Sequence, residues 1–265
     1  MNLKKYRVED KLKLSAFKTN ETGKGSEAEA LERSAARQPK LAAWQERLYA
    51  EGKQSLLIVL QARDAGGKDG TVKHVLHGLN PQGVVVTSFK VPTAQELSHD
   101  FLWRVHAAAP AAGMIAVFNR SHYEDVLVTR VHGLIDQPEA EARYEQIRAF
   151  EALLMGRHTR ILKLYLHVSK DEQKERLQAR LDDPQKRWKF NPGDLKEREL
   201  WDDYTRAYQD AISATSSKDA PWYVIPADHK WLRDDLIGQL LLETLDDMNP
   251  KFPEPSFDPA AVQIR

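Results

Sequence analysis

An apolar run, Ser55-Leu56-Leu57-Ile58-Val59-Leu60-Gln61, feeds through Ala62-Arg63-Asp64-Ala65-Gly66-Gly67-Lys68-Asp69-Gly70-Thr71 into a helix-forming stretch. A strand that turns through glycines into a helix leaves backbone N–H groups unpaired and convergent. A lysine beside them completes a cradle for phosphate oxygens. The pattern departs from an ordinary phosphate-binding loop in two places. Ala62 stands where the first glycine is expected, and Asp69 stands where Ser or Thr would carry magnesium. Asp64, inside the loop, is the candidate replacement for that metal ligand. The bland alternative is a plain strand-to-helix turn with a solvated lysine.

A second cluster, Phe118-Asn119-Arg120-Ser121-His122-Tyr123-Glu124-Asp125, ends another apolar run. Enzymes with such a loop often place a carboxylate there, and this chain has Asn119. Arg120 at a strand's carboxyl end would face the same cleft as Lys68 and clamp phosphate oxygens; alternatively it is a surface arginine at a helix start. Glu124 and Asp125 read on spacing as helix-start acids that complement the dipole. Arg130 comes nearly two turns after Glu124, open to a buried ion pair or a second phosphate contact. A third segment, Asp182 to Asp194, brackets Lys186, Arg187, Trp188, Lys189 and Phe190 between prolines and a glycine. A lid closing over phosphates needs cations on a hinged loop, which this segment supplies. The preceding block Gln173–Arg180 also looks like an ordinary charged helix face, the reading to prefer if the lid did not follow it.

These residues need elements to position them. Five apolar runs are expected as strands: 56–61, 84–89, 114–118, 161–168 and 222–225. They alternate with helical stretches opened by capping-box patterns at Ser26…Glu29, Thr93…Glu96 and Ser169…Glu172. Continuous β-branched strands alternating with helices predict an α/β, doubly wound parallel sheet with helices on both faces. Its ligands would sit beyond the carboxyl ends of the strands. Pro39 is expected to divide the first helical region. Residues 1–25 read as an extended N-terminal arm ending in Gly23-Lys24-Gly25, residues 26–250 as a single domain, and 251–265 as a proline-rich surface tail. Trp44, Leu48 and Tyr49 are open as contact surface or core.

Composition removes several function classes. Across 265 residues, Lys+Arg and Asp+Glu each number 39, so bulk charge does not recruit nucleic acid or membrane. Cysteine is absent, which excludes thiol catalysis and thiolate metal sites. The nine histidines, with His74 and His77 near the loop, lack metal-ligand spacing. No Gly-x-Ser-x-Gly pattern points to acyl transfer. Without a signal-like or membrane-spanning segment, the expectation is a cytoplasmic enzyme.

The three motifs, with Ala220-Pro221-Trp222-Tyr223-Val224-Ile225-Pro226-Ala227-Asp228, resemble the polyphosphate kinase 2 family from about Trp44 to Asn249. Tyr123-Glu124-Asp125 resembles the subgroup, class III, that phosphorylates both nucleoside mono- and diphosphates. The resemblance implies a P-loop kinase-like (thymidylate-kinase-like) fold of five parallel strands with a helical lid at about 183–195. It implies phosphoryl transfer from inorganic polyphosphate to AMP and ADP, with guanine nucleotides as further candidates, in a homo-oligomer that uses Mg2+ or, in its place, Mn2+. Carried over residue by residue, Asp64, Lys68, Arg120 and Arg130 are catalytic. Nucleotide and polyphosphate fall to Ala65, Gly66, Gly67, Asp69, Gly70, Thr71, Asn119, His122, Tyr123, Glu124, Asp125, Lys186, Arg187 and Lys189. Metal falls to Asp64, with Asn119, Glu124 and Asp125 as further candidates, because an amide is a weaker ligand than the aspartate of many relatives. Two rival readings share the loop: an ATP-dependent kinase of a nucleotide or small metabolite, and a non-catalytic polyphosphate- or nucleotide-binding module.

Overall fold

The central sheet holds five parallel strands in the order β2-β3-β1-β4-β5. They are β1 Ser55–Ala62, β2 Val84–Ser88, β3 Ile115–Asn119, β4 Thr159–His167 and β5 Trp222–Pro226. The computed structural model describes residues 2–9, 11–23 and 25–264; Met1, Asp10 and Lys24 of the expected arm lie outside the described residues. Every residue of β1 is buried, because helices cover both faces of the sheet. Side chains alternate along a strand. Leu57 and Val59 therefore join one core, and Leu56, Ile58 and Leu60 the other.

Ten helices connect and flank the strands among the described residues: α1 Glu27–Glu51, α2 Lys68–Val75, α3 Ala94–Leu97, α4 Trp103–Ala107, α5 Glu124–Val131, α6 Gln137–Met155, α7 Lys170–Asp182, α8 Gly193–Glu199, α9 Trp201–Thr215 and α10 Lys230–Met248. The first core gathers side chains of α4, α5, α6 and α9, and the second those of α1, α2 and α10. The fold is the expected α/β class with strand order 2-3-1-4-5, and the loop after β1 lies beside the loop after β3.

Two expectations need correction. Pro39 does not divide the first helix: α1 runs unbroken for 25 residues with Pro39 inside it. One missing N–H is offset by packing along α10, where Leu41 and Leu48 are fully buried and Arg37 pairs with Asp235 at 2.6 Å. Leu48 is thus core, while Tyr49 is exposed. The N-terminal segment, expected as an extended arm, makes two 3-10 turns, Leu3–Tyr6 and Leu14–Ala16, and packs on the domain. Leu3, Tyr6, Val8, Leu12 and Leu14 are buried, Arg7 bridges Tyr223 in antiparallel fashion, and Val8 N–H donates to Trp222 O at 2.9 Å. Its polar residues alternate with these apolar ones, so one side of the segment is seated on the domain. Residues 251–264 are exposed and bear a short 3-10 turn, Pro259–Ala261.

The capping boxes at Ser26 and Thr93 are both reciprocal. The third is half made: Ser169 Oγ accepts from Glu172 N–H, but the Glu172 carboxylate turns to Arg176 Nε at 2.7 Å.

Candidate active site

The loop from Ala62 to Lys68 rises off the carboxyl end of β1 and closes tightly on itself. Gly66 N–H donates to Arg63 O at 3.0 Å, and a Cβ at Gly66 would stand 2.6 Å from the Ala62 Cβ. Gly67 has φ +103°, and a Cβ there would meet Arg233 Nη1 at 2.0 Å. Both positions therefore demand glycine on sterics alone. Helix α2 starts immediately afterwards. Its first internal bond runs from Thr71 N–H to Gly67 O, so the amides of Lys68, Asp69 and Gly70 are left without helical acceptors. Unpaired amides at the positive end of a helix are suited to anionic oxygen.

Lys68 folds back into the loop, donating from Nζ to Ala62 O at 2.7 Å and to Arg63 O at 3.4 Å. Burial, and then the Arg120 guanidinium, push its ammonium down to about 8 against the opposing pull of Asp64, Glu124 and Asp69. Arg120 comes from the neighbouring strand: its N–H donates to Leu60 O at 3.1 Å, in a left-handed conformation with φ 62°. That backbone turns its side chain between two carboxylates, Asp64 at 2.7 Å and Glu124 at 3.5 Å. Ala65, with φ 56°, is a second strained residue of the same site. Burial raises the Glu124 carboxyl above its usual range even though Arg120 and Lys68 oppose it. Asn119 Nδ2 donates to Asp69 Oδ1 at 2.7 Å, joining the end of β3 to the start of α2.

A cleft opens beside these groups, lined by Asp64, Arg120, Glu124 and Gln173 on its polar side and by Leu127, Val128, Trp201, Tyr204 and Tyr208 on its apolar side. Arg63 closes one wall; its guanidinium lies 3.7 Å from the Trp201 ring centre and donates to Trp201 O at 2.9 Å and to Thr205 Oγ1 at 2.5 Å.

The structure brings together Asp64, Ala65, Gly66, Gly67, Lys68, Asp69, Gly70, Asn119, Arg120 and Glu124. It does not bring the rest of the expected set to the cleft. His122 and Tyr123 are buried at 0% and 1% exposure. Tyr123 Oη donates to Glu151 at 2.8 Å, and the Lys163 ammonium reaches the same carboxylate at 2.6 Å. The turn after Arg120 points their rings into the core. Asp125 faces the other way from Glu124, towards Arg104 at 3.9 Å, and burial pushes it up to about 6. Thr71 is buried behind the loop with its hydroxyl unbonded. Arg130 lies away from the cleft lining, on Asp210 at 2.8 Å and the Tyr144 hydroxyl at 3.3 Å. The cations of the segment expected as a lid, Lys186, Arg187 and Lys189, are exposed; Lys186 pairs with Asp183, Arg187 with Leu181 O, and Lys189 lies over Trp188.

Several cleft residues escaped the sequence reading. Trp201, Tyr204 and Tyr208 recur at helical spacing along one face of α9, a pattern that could have marked them. Gln173 and Glu197 carry no local signal. The Tyr204 hydroxyl donates to Glu197 at 2.6 Å, and burial raises its pKa.

Among the described residues no group of three or more His, Cys, Asp or Glu side chains could hold a metal ion. Asp64 and Glu124 form a two-carboxylate set beside the phosphate loop. That donor set fits a small hard cation completing its shell with water and substrate phosphates.

A parallel sheet with a lysine-bearing phosphate loop, faced by an arginine from the adjoining strand, defines a phosphoryl-transfer protein of the P-loop kinase class. Residues 24–253 match the family described as Polyphosphate kinase 2 (PPK2), and the chain belongs to that family. It is 52% identical over 257 residues to an AMP/ADP-polyphosphate phosphotransferase of Meiothermus ruber, covering 96% of each chain. It is 48% identical over 222 residues to an ADP-polyphosphate phosphotransferase of Rhodopseudomonas palustris, covering 79% of this chain and 77% of that one. The crystal structure of polyphosphate kinase 2 from Arthrobacter aurescens TC1 superimposes with a TM-score of 0.94 at 48% identity. That match covers 97% of this chain and 93% of the other.

Proposed function

We propose that this protein transfers the terminal phosphoryl group of inorganic polyphosphate to AMP and to ADP, giving ADP and ATP. The observation that carries the reading is Lys68, buried on the carbonyls of its own loop and facing Arg120 across the strand ends. Phosphoryl transfer needs positioning and neutralisation of spread negative charge, and little covalent chemistry from the protein. An anionic oxygen of the nucleotide attacks the terminal phosphorus in line. The bond to the bridging oxygen breaks, and the shortened polyphosphate leaves with the electron pair. No general base is required because the attacking oxygen is already ionised.

In this reading the orphan amides of Lys68, Asp69 and Gly70 hold the donor phosphates, and Lys68 leaves its loop carbonyls to meet them. Arg120 supports the transferring group. The aromatic wall of Trp201, Tyr204 and Tyr208 offers faces for a nucleobase. Asp64 and Glu124 would hold Mg2+, which when bound would supply neutralisation of phosphate charge. The lid segment about 183–195 brings Lys186, Arg187 and Lys189 over the phosphates. A homo-oligomer belongs to the same proposal, and a light-scattering mass tests it.

The deciding assay incubates the protein with Mg2+, AMP or ADP, and long-chain polyphosphate, with no ATP present. ADP and ATP appearing in the AMP reaction are the expected result. A reaction that forms no nucleoside triphosphate from either acceptor favours an ATP-dependent kinase and overturns the proposal. Replacing Lys68 by Ala is expected to lower the rate by about 10³, and near-normal turnover in that variant would remove the loop from the chemistry.

A further inference from the structure

The segment about 183–195 hangs between α7 and α8, and Gln173 of α7 is joined to both the phosphate loop and α8. Gln173 is 3% exposed. Its Nε2 donates to the Asp64 carbonyl at 2.9 Å. Its Oε1 accepts from Arg198 Nη1, also at 2.9 Å, and Arg198 belongs to α8, on the far side of the lid. The orientation of the amide has one solution. A guanidinium can only donate and a backbone carbonyl can only accept, so the oxygen must face Arg198 and the nitrogen Asp64.

The next turn of α7 strengthens the same junction. Arg176 Nη1 donates to Ala65 O at 3.1 Å, while its Nη2 is spent on Ala227 O and Asp228 O at the end of β5. Two successive loop carbonyls, those of Asp64 and Ala65, are thus held by α7. They flank the α-carbon of Ala65, whose φ of 56° is a conformation that an L-residue keeps only when its surroundings fix it. Arg176 binds parts of the domain that share its own rigid frame. Gln173 differs, since one end of its amide is on the loop and the other on the helix that follows the lid.

We propose that Gln173 is a positioning residue that couples the lid to the phosphate loop. The seating of Arg198 on Oε1 orients the amide, and the amide holds the Asp64 peptide, so a displaced α8 loosens the loop at Asp64. The effect on turnover rests on the function proposed above; the mechanical link does not.

The test is hydrogen exchange of the full-length, ligand-free protein, reading backbone amides of residues 62–71. The set is wild type, Arg198→Met, Gln173→Met and the double variant. Arg198 is a half-buried side chain of a peripheral helix, so Arg198→Met tests the link even if Gln173→Met fails to fold. Arg198→Met removes the donor that orients the Gln173 amide, and the weakened hold of that amide on the Asp64 carbonyl is expected to speed exchange in the loop by about tenfold. The double variant should exchange no faster than Gln173→Met alone. Loop exchange in Arg198→Met equal to wild type overturns the proposal, as does a double variant showing the product of the two single effects. With polyphosphate and ADP, kcat should fall about tenfold in Arg198→Met with KM for the nucleotide within about twofold. A merely structural role would lower Tm and leave kcat intact. If wild type itself transfers no phosphoryl group from polyphosphate, the functional reading fails, and the exchange result still decides the coupling.

Discussion

Seating a phosphate chain on the loop is expected to draw a proton from solution, and Lys68 is the reason. In the ligand-free protein burial first, and Arg120 second, bring Lys68 down to about 8 from an ordinary 10.5. A polyanion on the amides of α2 places several negative charges beside that ammonium and restores its affinity for the proton. At pH 8 about half of Lys68 is neutral without ligand, and at pH 9 about nine-tenths, whereas the complex is almost fully charged. Uptake should therefore be about 0.1 proton per site at pH 7, about 0.5 at pH 8 and about 0.9 at pH 9. The ligand adds little in this range because second phosphate ionisations lie near 6. Asp125, at about 6, is also mostly ionised there. Titration calorimetry with tripolyphosphate, in paired buffers of different ionisation enthalpy at each pH, reads the uptake directly. Heats that do not depend on the buffer at pH 8 and 9 would refute the reasoning, and Lys68→Met should abolish the pH-dependent part. The same shift makes a stability prediction of defined sign. The unfolded chain holds this proton more tightly, so ligand-free protein carries a cost of about 3 kcal/mol below pH 8. That cost fades as pH rises from about 8 to 10.5. Wild type should accordingly gain on Lys68→Met in urea unfolding as pH rises from about 8 to 10.5; the observable is a wild-type-minus-variant stability that climbs by about 3 kcal/mol across this window, and one that stays flat or falls would refute the shift.

The fold was legible because local signals agreed with one another. Strand β1 was expected at 56–61 and lies at 55–62, and the other four strands were placed within a residue or two. Buried parallel strands announce themselves as apolar runs, and reciprocal capping boxes marked the starts of α1 and α3. The phosphate loop was legible for the same reason, being a contiguous sequence whose glycines have a local steric cause. What failed to show was tertiary. Gln173 and Arg176 lie in a block that also resembles an ordinary charged helix face, yet both turn inward onto carbonyls more than 100 residues away in sequence. His122 and Tyr123, next to Arg120, looked like ligand contacts. The left-handed turn at Arg120 sends neighbouring side chains to opposite sides, so Arg120 and Glu124 reach the cleft while His122 and Tyr123 enter the core. Pro39 misled because propensity speaks for one residue, and the packing of a 25-residue helix outweighs it.

Two further perturbations separate the loop from the core beneath it. Gly67→Ala forces a side chain onto φ +103° and into Arg233 Nη1. It should weaken tripolyphosphate binding at least about tenfold, at a strain of about 1–3 kcal/mol; an unchanged Kd by calorimetry would show that the loop's close approach to Arg233 is unimportant. Lys163→Met tests the buried pair under the turn that carries Arg120. Burial alone would raise Glu151, but the Lys163 ammonium and His122 hold its carboxyl below the ordinary range. Removing the lysine leaves that carboxylate fully buried with the Tyr123 hydroxyl and His122 for company, and urea unfolding should report a loss of about 3–5 kcal/mol. Replacing Glu151 by Leu in the same chain removes the stranded charge as well and should restore most of the loss. A single variant within about 1 kcal/mol of wild type, or a double variant no better than the single one, would mean that water reaches Glu151 and that packing, not the ion pair, holds the turn. Recovery of stability in the double variant without recovery of kcat would separate the pair's two effects, since two apolar side chains can fill the space but cannot bind the Tyr123 hydroxyl that anchors the residue before Glu124.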